Sequence, residues 1–80
     1  MWKIYKWNGR FIQGDLVSSH SSEAAALKKA KKEIKFVKTQ KEESKKEIVI
    51  WLDGEDGTPL GVIIKKNKGT KRIRQSKKEE

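Results

Sequence analysis

From Ser22 to about Gln40 the chain reads S-E-A-A-A-L-K-K-A-K-K-E-I-K-F-V-K-T-Q, and this stretch constrains the fold more than any other. Projected at about 100° per residue, Leu27, Ala30, Ile34 and Val37 fall in one narrow arc with Ala26 at its edge, the rhythm of a buried helical stripe. The spacing predicts one long helix, packed by this face on a sheet. Ser21 or Ser22 can cap its start by accepting from an otherwise unpaired amide, and Glu23 places negative charge where the helix dipole is positive. No Gly or Pro marks its end, so residues Thr39 to Lys46 read as a frayed continuation or a polar loop. Lys28, Lys32 and Lys35 share a second arc, which makes one side of the helix strongly basic. Phe36 falls nearly opposite the apolar stripe, either exposed on the basic side or buried under another part of the structure.

The rest of the chain reads as strand. Residues 2–7 alternate, Asn8-Gly9 is a strong hairpin signal, and Arg10 to Val17 supplies a return strand. A two-residue turn groups Tyr5, Trp7, Ile12 and Leu16 on one face, whereas a three-residue connection groups Trp2, Ile4, Ile12 and Leu16. Gly14 suggests a bulge. After the helix, Glu47-Ile48-Val49-Ile50-Trp51-Leu52 is near-continuous apolar and rich in β-branched residues, as suits a central strand covered on both faces. Asp53 to Pro59 reads as a turn, and Leu60-Gly61-Val62-Ile63-Ile64 as a fourth strand.

The expected architecture is therefore an α+β two-layer sandwich, β-β-α-β-β, with a four-stranded antiparallel sheet in the order 2-1-3-4 and the helix across one face. Residues 1–66 form one domain. Residues 67–80, K-R-I-R among them, form a basic tail expected to be disordered when free. The second sheet face, with Val49 and Trp51 on it, needs cover: a second copy of the protein, the tail, or stacked nucleotide bases.

W-K-I-Y at the start, S-S-E-A-A-A-L-K-K-A and I-V-I-W-L-D-G-E-D-G together resemble a group of small uncharacterised bacterial domains. These have a Trp-led strand hairpin, a helix opening with Ser/Thr and Glu-Ala, and a strand ending near Asp-Gly. The resemblance spans residues 2 to about 57, implies the same fold and transfers no site residues. The lysine-rich stretch after the helix and the basic tail depart from that pattern.

Charge narrows the functional classes. The net charge of +9 is segregated: residues 28–46 carry +6, residues 47–64 carry −4 and residues 65–80 carry +6. Such segregation favours a polyanionic partner. Lysines outnumber arginines seventeen to three, which argues against reading base edges, where the planar guanidinium is preferred. The expected function is a nucleic-acid-binding module acting through phosphate contacts, with Lys28, Lys32 and Lys35 on the helix and Lys71, Arg72 and Arg74 in the tail. Tyr5, Trp7, Phe11 and Trp51 are candidates for base stacking or for an interface. The alternative is a homodimeric interaction or accessory module, viral or regulatory, that uses the open sheet face while its lysines keep it soluble.

Other chemistries find little support. The chain has no cysteine, so disulfides and thiolate metal sites are excluded. His20 is a single loop histidine near the helix cap. The acidic turn at residues 53–59 lacks the alternating ligands and distal Glu of a calcium loop. Asp15, Glu33, Asp53, Glu55 and Asp56 are not spaced as a catalytic pair, and no glycine-rich phosphate loop precedes a helix. No enzyme activity, cofactor, metal or small-molecule substrate is expected. With no apolar run long enough for a signal peptide or a membrane span, the expected location is cytoplasmic.

Overall fold

The computed structural model describes residues 1–67. It is an α+β fold in which strands β1 (Trp2–Lys6) and β2 (Asp15–His20) precede the helix α1 (Glu23–Glu33), and β3 (Lys38–Glu43), β4 (Glu47–Asp53) and β5 (Pro59–Lys66) follow it. The sheet has five strands, not the four expected, in the order β2-β1-β5-β4-β3 with every neighbouring pair antiparallel.

The added strand arises where the helix stops. Ser22 caps the start, its hydroxyl accepting from the Ala25 amide at 3.2 Å. The helix ends at Glu33, and Ile34 is already extended (φ −127°, ψ 124°) although its amide still donates to the Ala30 carbonyl. A longer helix would bury Val37 and turn Phe36 outward. In the extended chain Ile34 and Phe36 both enter the core, and Val37 is left 58% exposed. Burying the larger aromatic surface outweighs continuing the helix. Val37 then donates to the Asp53 carbonyl and opens the β3–β4 ladder.

Strand β3, Lys-Thr-Gln-Lys-Glu-Glu, is exposed along its whole length. It forms a sheet edge, where charged side chains discourage pairing with other chains. From this edge the chain returns by two hairpins, β3–β4 and β4–β5, so that β5 rather than β4 lies beside β1. This corrects the expected order, which lacked the outer hairpin and paired the wrong strand with the first. The start of α1 is tied to β3 by the Glu23–Lys41 ion pair, and its end lies over Gly61 on β5.

One core holds the layers together. Trp2, Ile4, Ala26, Ala30, Ile34, Phe36, Ile50, Leu52 and Ile63 form a buried cluster, with Val17, Leu27, Ile48 and Leu60 packed against it. The alternation expected of β4 holds, with Ile48, Ile50 and Leu52 on the helix side. Helix α1 itself packs over β1 and β2.

The first connection differs from both hairpins considered. Residues 7–14 form a loop in which Asn8 Oδ1 accepts from the amides of Arg10 and Phe11, each at 2.9 Å, and Gly9 takes a positive φ of 94°. The irregularity in β2 lies at Val17 rather than Gly14. Ile4 pairs with Ser18 and Tyr5 with Leu16, leaving Val17 as the extra residue, and this bulge lets Val17 pack against the core. Leu16 is consequently 56% exposed, grouped with neither set foreseen.

Candidate nucleic-acid interface

The two surfaces flanking the core differ in chemistry. On the sheet face away from the helix, the ladder aligns Tyr5, Val62, Trp51 and Gln40 in one row and Lys3, Ile64, Val49 and Glu42 in the next. Tyr5 and Trp51 are half-buried and stand about 10 Å apart, two strand spacings, with Val62 between them. Val62 is only 2% exposed although no helix covers it. The loop from β1 to β2 supplies the cover, since Ile12 and Gln13 line one groove with Val49, Trp51, Val62 and Ile64. The open face is therefore partly closed by the chain's own loop.

The helix side carries the cations. Lys28 and Lys32 project from α1 and are exposed. Among the described residues the ion pairs are Lys29–Glu33 at 3.2 Å, Lys41–Glu23 at 3.2 Å and Lys66–Glu47 at 2.7 Å. Lys28, Lys32 and Lys35 have no carboxylate partner there. Lys35 is not on the helix as the wheel implied, because α1 has ended two residues earlier.

The early stop moves Lys35 to a new neighbourhood. At the C-terminal end of α1, Lys6, Trp7, Glu33, Ile34, Lys35 and Leu60 line an open groove of about 330 Å³. Strand β1 delivers Lys6, and the ladder extends one step past it: the Trp7 amide donates to the Leu60 carbonyl at 3.0 Å, which fixes the backbone that carries the indole. Trp7 is 42% exposed. Glu33 is engaged by Lys29, so its charge is partly offset, whereas Lys6 and Lys35 are unpaired among the described residues. One predicted phosphate-binding lysine and one predicted stacking aromatic thus meet in a single groove.

The other candidates lie apart. Phe11 is 60% exposed at the loop tip, with the Arg10 guanidinium 6.0 Å from its ring centroid. Tyr5 and Trp51 belong to the opposite sheet face. Lys71, Arg72 and Arg74 lie outside the described residues. Sequence reasoning overlooked Lys6, although a signal was present. In a strand that alternates, Lys6 shares the side of the buried Trp2 and Ile4, and a lysine at a core-parity strand end marks a place where the helix layer opens to water.

The acidic β4–β5 turn and Asp53 are held by hydrogen bonds within the described residues. Asp53 is 3% exposed and accepts from Gln40 Nε2 at 3.0 Å, a contact between the end of β4 and the middle of β3. Hydrogen bonds from Thr58, first its amide and then its side chain, hold the exposed Asp56 carboxyl below its ordinary value. Among the described residues no three His, Asp or Glu side chains are grouped to hold a metal, and no helix is long and apolar enough to cross a membrane. Comparison with protein-family models, curated proteins and solved structures finds no match to this chain.

Proposed function

We propose that this protein binds nucleic acid through its helix side, mainly by contacts between lysines and phosphates. The observation that carries the reading is that Lys28, Lys32 and Lys35 are exposed without a carboxylate partner among the described residues, and that of the helix lysines only Lys29 is ion-paired, Lys31 resting over the Phe36 ring. Surface ion pairs contribute only about 0–1 kcal/mol each, so these lysines need no acid for stability, and their charge is left available to a polyanion. The scarcity of arginine fits backbone contact more closely than base-edge readout.

The test is a titration of labelled DNA and RNA at two salt concentrations. Affinity should fall by about 0.9 log units per log unit of salt for each duplex phosphate neutralised. Changing Lys28 and Lys32 to Glu should lower that slope by about two. An affinity indifferent to salt refutes the reading.

A homodimer through the open sheet face is the second reading. It is supported by the half-buried Tyr5, Val49, Trp51 and Ile64 and by a row that runs from Lys3 to Glu42. A second copy turned about an axis parallel to β5 would bring Lys3 of one towards Glu42 of the other. The loop over Val62 reduces the area left to cover, which ranks this reading second. A monomeric mass by light scattering at high micromolar concentration eliminates it.

A further inference from the structure

We infer that the groove at the end of α1 receives an unpaired base, with Trp7 as its stacking surface and Lys6 and Lys35 as holders of the adjoining phosphates. The inference rests on the nucleic-acid reading above and assigns that surface a preference for single strands.

Three features of the groove converge on this ligand. Ile34 and Leu60 give the groove an apolar part, and Trp7, 42% exposed, lines it beside them. Stacking on such a ring is tolerant of sequence, because every base has a π-face. Lys6 and Lys35 line it without carboxylate partners among the described residues, and Glu33, which also lines it, is paired with Lys29, so a polyanion that offers flat apolar rings complements both parts. A neutral aromatic ligand would use only the apolar part, and inorganic phosphate only the lysines.

The backbone on either side of the groove is held in place. Trp7 is tied to β5 through the Leu60 carbonyl, and Ile34 is locked between Gly61 and the core. Bases inside a duplex are stacked on one another and reach such a pocket only by being flipped out. A single strand presents its faces without that cost. Lys35 also follows Lys28 and Lys32 along the chain, so the cations of the helix lead to the groove rather than away from it. Tyr5 and Trp51 do not compete for the role, since they face the other side of the sheet and Ile12 and Gln13 stand beside them.

The experiment uses the full chain and fluorescein-labelled oligothymidylate beside a duplex of the same length, read by anisotropy at two salt concentrations. The wild-type protein should favour the single strand about tenfold, within the range of one stacked base. Trp7→Ala should abolish the preference and leave duplex affinity within about twofold. Trp7→Phe, which keeps a ring and preserves the fold if the alanine variant does not, should retain most of it. Oligothymidylate should also quench the indole emission of the wild type, and Trp7→Phe should remove that quenching, because Trp2 is buried and Trp51 is on the other face. Salt-dependent binding with no strand preference, or equal weakening of both ligands by Trp7→Ala, overturns the inference while the lysine reading stands. Absence of binding to either ligand overturns both.

Discussion

Ile34 lies directly above Gly61: a Cβ built on Gly61 would stand 2.8 Å from Ile34 Cδ1 and 2.6 Å from the Tyr5 carbonyl oxygen. The residue after the helix is therefore seated in a notch that only glycine leaves open on β5. Gly61→Ala must push backbone as well as side chain, and overpacking of this kind costs about 1–3 kcal/mol. Urea denaturation followed by circular dichroism should show the midpoint fall. An unchanged midpoint would mean that Ile34 packs elsewhere.

Phe36 and Val37 test where the helix ends. Phe36→Ala should cost about 3–5 kcal/mol, the usual range for a buried phenylalanine, and Val37→Thr should stay within about 0.5 kcal/mol. Were the helix to continue through Val37, thermal melts of the two variants would rank in the opposite order.

Gln40 is the partner of a buried carboxylate. With Gln40→Ala, Asp53 loses the donor at 3.0 Å in a site that is 3% exposed, and an orphaned buried polar group costs about 1–3 kcal/mol, more when charged. Gln40→Glu should be worse, since it sets two carboxylates against each other. Denaturant midpoints of the two variants measure this.

Asp56 gives the β4–β5 turn an acid-side pH dependence. Its folded pKa is depressed by the hydrogen bonds from Thr58, so the contribution is fully present above the unfolded value near 3.8 and is lost as the pH falls through the lower folded value. Asp56→Asn keeps an oxygen acceptor for Thr58 but cannot titrate. Followed by NMR, the Thr58 amide shift should move with pH below about 4 in the wild type and stay flat in the variant.

Much of this fold was legible where burial imposes a pattern. The strand at residues 2–6, the Ser22 cap, the apolar β4, its acidic turn and β5 all follow from alternation, capping or turn chemistry. Strand β3 was not, because both its faces meet water and K-T-Q-K-E-E carries no period. The end of the helix was misread for the opposite reason: Ile34 and Val37 extend a good helical stripe, and only the tertiary gain from burying Phe36 overrides it. The groove followed the same path. Lys35 was assigned to a helix face, and its meeting with Lys6 and Trp7 depends on the helix ending at Glu33 and on β5 lying beside β1, neither of which local sequence reveals.

The place of β5 between β1 and β4 has a consequence for synthesis. The strand that joins the two halves of the sheet is the last of the five to leave the ribosome. Until residues 59–66 emerge, β1, β2 and α1 form one fragment and the β3–β4 hairpin another, with Ile4 and Ile50 lacking the Ile63 that lies between them. The nascent chain carries two half-built layers with open apolar edges. Acquisition of β5 closes both edges in one step, which makes the fold's cooperativity a late event in translation.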